Sequence, residues 1–126
     1  MNNRVLCDTC ILIDFANGRS RQLADLHSQN IQLFINPVIE LELLQGARNK
    51  TEMQKLEKIL SMFHHLEMPS EVFSVARQLI KQYSLSHGLR LADALIAATA
   101  LVYGLELLTV NKKDFRFVPK LVLYTK

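Results

Sequence analysis

Tryptophan is missing from this 126-residue chain, and cysteine, glycine and proline are scarce, at two, four and three residues. Each shortage excludes something. Two cysteines, Cys7 and Cys10, cannot build a disulfide scaffold, and no second pair exists to complete a zinc site. Few Gly and Pro beside 49% hydrophobic residues argue against disorder. No apolar run approaches the roughly 20 residues that a membrane helix needs. The first residues, Met1-Asn2-Asn3-Arg4, lead straight into a strand-like run without a signal-like apolar stretch, so a cytoplasmic location is the expectation. Linkers, repeats and low-complexity segments are also lacking, and the length fits one domain with a real core.

What is present is an alternation of strand-like and helix-like segments. Arg4 to Cys7 and Ile31 to Ile35 read as strands, and Thr9 to Phe15 and Arg19 to Gln29 as helices. Asn36-Pro37 opens a helix that runs through Glu42 to about Ala47, with Pro at the first helical position. Thr51 to Phe63 has helical apolar spacing, and His64 to Met68 reads as a short strand. A helix from Ser70 ends at His87-Gly88, and a nearly all-apolar helix runs from Leu91 to Tyr103. Glu106 to Val110 and Leu121 to Tyr124 complete the set as strands. This order predicts an α/β fold in one domain, a parallel sheet of four to five strands flanked by helices. Carboxyl ends of such strands converge on one crevice.

Four acids interrupt apolar surroundings. Asp8 closes Val5-Leu6-Cys7, Glu42 lies among Leu41, Leu43 and Leu44, Asp93 breaks Leu91-Ala92-Asp93-Ala94-Leu95, and Asp114 follows the stretch Leu105 to Val110. Buried carboxylates need a partner or a bound cation. Each acid also has a plainer explanation: Asp8-Thr9 can cap a helix, Asp93 can cap the helix beginning near Leu91, Glu42 can be solvated, and Asn111 and Asp114 can form a turn. Net charge is +3; with the four acids set aside, 15 basic residues face eight acidic ones. A negative pocket on a basic body suits metal-dependent chemistry on a polyanion, although an ordinary basic surface gives the same count.

The segments Val5-Leu6-Cys7-Asp8-Thr9, Glu42-Leu43-Leu44-Gln45-Gly46-Ala47, Leu91 to Ala98, and Leu108-Thr109-Val110-Asn111-Lys112-Lys113-Asp114-Phe115 together resemble the PIN-domain ribonucleases of the VapC toxin type, over essentially the whole chain. The resemblance implies a PIN-like nuclease domain over residues 1–126, with Asp8, Glu42, Asp93 and Asp114 as the catalytic acids. Of these, Asp8, Asp93 and Asp114 would ligate metal, supported by Thr9 and Asn111. It implies a magnesium- or manganese-dependent endoribonuclease, a homodimer, and a cognate antitoxin that covers the site. Many relatives have Asp where this chain has Asn111, which leaves the pocket one charge less negative. Arg48, Arg90, Lys112, Lys113 and Arg116 are candidate contacts for RNA phosphates, with a solvated rim as the plainer alternative.

Hard oxygen donors select Mg²⁺ or Mn²⁺ over zinc. Competing assignments are weaker. Cys7-Asp8-Thr9-Cys10 has the C-x-x-C spacing of a redox motif, but alternation turns Cys7 away from Asp8 as core filler. His64-His65 lies in a strand-like segment remote from the acids. A phosphoaspartate enzyme would want a second Asp where Cys10 stands. A PIN-like module that binds RNA or protein without cutting, and a nuclease of RNA maturation, stay open as alternatives.

Overall fold

The computed structural model describes residues 3–125. The chain runs β1 (Arg4–Cys7), α1 (Thr9–Ala16), α2 (Gln22–Ser28), β2 (Gln32–Ile35), α3 (Pro37–Gln45), α4 (Lys50–Leu60), β3 (His64–His65), α5 (Ser70–His87), α6 (Leu91–Tyr103) and β4 (Glu106–Leu108), followed by a 3-10 turn over Lys112–Asp114. The four strands form one parallel sheet in the order β3-β2-β1-β4. Val5, Leu6 and Cys7 of β1 are wholly buried. Such a strand, apolar on both faces, is what a sheet covered by helices on either side requires.

The expected α/β fold is therefore present, with four strands. Leu121 to Tyr124 does not become a fifth, because only Leu107 and Leu123 form a bridge there. Pro119 has no N–H to donate, and Lys120 turns the chain with a φ of 67°. The segment thus reaches the sheet late and pairs briefly. The α2 helix starts at Gln22 rather than near Arg19, since the Ser20 hydroxyl accepts from the Gln22 N–H and holds a turn ahead of it. The helix with apolar spacing from Thr51 to Phe63 ends at Leu60, and Phe63 beyond it is core.

Chain order and spatial order part company between β1 and β4. From β1 the chain moves outward through β2 to β3, then returns to lay β4 on the other side of β1. At such a reversal, the loops leaving neighbouring strands diverge and open a crevice beyond their carboxyl ends. Register fixes what faces it. Cys7 pairs with Leu108, and the Asp8 N–H donates to the Leu108 carbonyl at 2.9 Å. Asp8 and Thr109, the next residues on each strand, meet at the crevice mouth.

Candidate active site: four carboxylates around one crevice

Asp8 caps α1: its backbone is extended (φ −67°, ψ 155°), and Oδ1 accepts from the Thr9 N–H at 2.8 Å. Oδ2 accepts from the Thr109 hydroxyl at 2.8 Å and from the Cys10 thiol at 3.4 Å. A carboxylate offers about four lone-pair directions. Three are taken here, so the capping role leaves one lone-pair direction over. Asp8 is only 7% exposed, and these bonds hold it in one orientation.

The Thr9 hydroxyl, one residue into α1, donates to Glu42 Oε1 on α3 at 2.6 Å. Asn36 positions α3. It is buried at the end of β2, where Oδ1 caps the helix through the Ile39 N–H at 2.9 Å and Nδ2 donates to the Thr99 hydroxyl of α6 at 2.9 Å. Thr99 in turn donates to the Leu95 carbonyl. One side chain thus links the helix carrying Glu42 to the helix carrying Asp93.

Asp93 sits in the first turn of α6, and its carboxyl is held above the usual carboxylate range. Burial is the largest cause; a hydrogen bond from the Arg90 backbone opposes it, and the charges of Asp8, Asp114 and Glu42 add to the rise. The last three causes bear most on function. Asp93 feels all three other acids, so four carboxylates from four separate chain segments share one electrostatic neighbourhood. Asp114, in the 3-10 turn after β4, is solvent-exposed at its edge.

Among the described residues, no three His, Cys, Asp or Glu side chains close tightly enough around one point to enclose an ion as they stand. The donor set is nonetheless all oxygen apart from Cys10, and Asp93 has only one donor bond against three negative neighbours. That is chemistry a hard divalent cation would satisfy. The residues fit such an ion.

Asn111 is exposed, and it joins the site through its backbone, whose N–H donates to the Thr109 hydroxyl at 3.0 Å. Arg48 is committed to Glu52, with a closest side-chain contact of 2.8 Å. Arg90, Lys112, Lys113 and Arg116 are exposed on the segments that carry Asp93 and Asp114. A groove of about 370 Å³ opens beside Glu42 between α1, α3 and α4, with Arg19, Arg48 and Lys55 on its walls.

Sequence reasoning did not expect Thr109 and Cys10 as hydrogen-bond donors to Asp8. Thr109 contacts Asp8 only because β4 returns beside β1, a pairing across about 100 residues that no local signal announces. The C-x-x-C reading fails on burial, which pushes both thiols up: Cys7 is sealed in the core, and half-buried Cys10 keeps its proton as a donor to Asp8. His64 packs on Phe34, with ring centroids 5.0 Å apart, while His65 bonds the Leu60 carbonyl. Both lie on β3, two strands away from β1.

Comparison with known proteins agrees with this architecture. The PIN domain family matches residues 5–121. Ribonuclease VapC of Rickettsia bellii is 33% identical over 129 residues, spanning 96% of this chain and 95% of that protein. Ribonuclease VapC19 of Mycobacterium tuberculosis is 32% identical over 120 residues, 92% and 95% of the two chains. A solved toxin–antitoxin complex from Klebsiella pneumoniae contains a chain that superposes with a TM-score of 0.78 at 32% identity, covering 97% of this chain and 99% of that one. The chain belongs to the PIN-domain family, in its VapC branch.

Proposed function

We propose that the protein is a metal-dependent endoribonuclease that hydrolyses RNA phosphodiester bonds as the toxin of a toxin–antitoxin pair. The observation that carries the catalytic part is the geometry around Asp8: Thr109 bonds it from the end of β4, Thr9 links it to Glu42, and Asp93 lies close enough to feel the charges of Asp8, Glu42 and Asp114. Similarity to Ribonuclease VapC proteins and to a toxin–antitoxin complex supports the biological part. Asp8, Asp93 and Asp114 would hold Mg²⁺ or Mn²⁺, which when bound lowers the pKa of a water, polarises the scissile phosphate and steadies the leaving oxygen.

The chain's own residues then divide the work. Thr109, Cys10 and the Thr9 N–H fix Asp8 and leave one lone-pair direction for the metal. Glu42, steadied by the Thr9 hydroxyl, takes the proton from the attacking water. The water oxygen bonds to phosphorus as the bond to the 3′ oxygen breaks, and that oxygen picks up a proton. The products are a 5′-phosphate and a 3′-hydroxyl. Chemistry using the RNA 2′-hydroxyl would leave different ends, and mapping the ends separates the two.

Purified protein is expected to cut RNA with Mg²⁺ or Mn²⁺ and to stop in EDTA. Asp8→Asn and Asp93→Asn abolish cutting, and Glu42→Gln lowers kcat about 100-fold or more. Full activity in EDTA would overturn the metal requirement; cutting by either Asn variant would overturn the ligand assignment. The antitoxin is expected to cover the crevice, and two copies of the chain are expected to associate through helical faces. The exposed Phe73 of α5 and Leu41 of α3 are candidate contacts.

A further inference from the structure

Three aromatic rings pack against one another on and near the segments that carry Asp93 and Asp114, and take no part in the chemistry above. Phe117 stacks on His87, with centroids 4.3 Å apart and planes 22° from parallel. Tyr83 completes the group, 5.2 Å from Phe117 and edge-on to His87 at 5.6 Å. His87 ends α5 just before the left-handed Gly88 and is solvent-exposed. Arg90 and Asp93 follow within six residues of His87 along the chain, and Phe117 stands three residues after Asp114. The rings therefore occupy the ends of the two segments that deliver Asp93 and Asp114, flanked by exposed Arg90 and Arg116.

We infer that the His87–Phe117 stack is a platform for an unpaired base of single-stranded RNA next to the scissile phosphate. The inference rests on the endoribonuclease reading. Aromatic faces beside basic side chains are how proteins hold single strands, because every base has a π-face while phosphates need cations. The solvent-exposed His87 ring supplies the first, and Arg90 with Arg116 the second. Phe117 backs the imidazole from behind, so the ring is oriented before RNA arrives.

The absence of tryptophan supplies a direct probe. In the Asp93→Asn background, which does not cut, His87→Trp places the sole indole of the chain on the platform. Its fluorescence should be quenched by a single-stranded oligoribonucleotide and not by the same oligomer annealed to its complement. In the cutting protein, His87→Ala should raise KM about tenfold with kcat within twofold, and His87→Phe should restore KM.

An unquenched indole overturns the platform. So does a fall in kcat with KM unchanged, which would mean that the stack merely anchors the Asp114 loop. Emission that shifts blue with rising protein concentration, without a response to RNA, marks a protein-binding surface and also overturns it; fully exposed Leu85 on the same helix makes that arm worth including. Quenching in a protein whose parent fails to cut RNA would uphold the platform and reject the nuclease reading. Cutting without quenching would do the reverse.

Discussion

Asp93 carries the conflict at the heart of the site. Its folded-state pKa lies above its unfolded value, so folding favours the protonated form. The penalty for ionisation is absent below the unfolded pKa, grows as pH rises through the folded pKa, and is fully present above it. Metal-free protein should therefore lose stability from this group as pH rises out of the acid range. Asp93→Asn removes the charge and keeps an oxygen to accept from Arg90. In EDTA at neutral pH the variant is expected to melt above the parent, with the gap closing in acid. A variant that melts lower at neutral pH would contradict this account. Divalent metal should raise the parent's melting temperature and leave Asp93→Asn nearly unmoved, since added ligand stabilises only the form that binds it.

In the sequence, Asp8, Asp93 and Asp114 stood out because they close, interrupt or follow apolar runs, and Glu42 mainly through the family resemblance. Of their supports, Thr9 was expected through the family resemblance, and Thr109 was not. Thr109 contributes to the site through one hydroxyl that donates to Asp8 and accepts from the Asn111 N–H. Removing it leaves Asp8 short of a donor and free to turn. Thr109→Val should weaken the apparent Mg²⁺ affinity in a metal titration of activity, while Thr109→Ser should preserve it. Equal affinities in all three proteins would rule out that role.

At the scale of elements, most starts and stops follow from side chains that compete for helix ends. Asn36 and Asn49 cap α3 and α4 through the Ile39 and Glu52 N–H groups, and Gly88 and Gly104 end α5 and α6 with φ near 70°. The Asn36-Pro37 start and the Gly88 and Gly104 stops were legible from composition. The α2 start and the supposed last strand were misplaced because a serine turn and a left-handed Lys120 act through conformation, which propensity does not report.

Asn36 does more than cap, since its other end bonds Thr99 on α6. Asn36→Ala should cost about 2 kcal/mol in denaturant unfolding, combining a lost cap with an unmade buried hydrogen bond. Activity should fall beyond what that destabilisation explains, because Glu42 and Asp93 lose their shared brace. Asn36→Asp keeps the cap but exchanges the donor to Thr99 for a charge. If it matched the parent in stability, the link to α6 would carry no weight.

For the whole molecule, charge separation matters more than net charge. The acids gather at one crevice, while Arg90, Lys112, Lys113 and Arg116 stand exposed on neighbouring segments. RNA affinity measured in the Asp93→Asn variant should fall steeply with added salt, as release of counterions from phosphate requires. A salt-independent affinity would remove these residues from the interface. The general plan, a parallel sheet with acids at its carboxyl edge, was recoverable from alternation and interrupted runs. The strand order was not, because a reversal beside β1 is a decision taken between distant segments.

The short bridge from Leu107 to Leu123 has one further consequence. The Leu107 N–H donates to the Val122 carbonyl, and the Tyr124 N–H donates to the Leu107 carbonyl, so the outer side of β4 is occupied by the chain's own tail. At the opposite border β3 is only two residues long. Neither margin of the sheet offers a stranger an extended row of open backbone groups, and this guards against fibril-like growth at high expression. A second copy or a regulatory partner is thereby turned toward the helices, and self-recognition becomes a matter of side chains rather than of backbone.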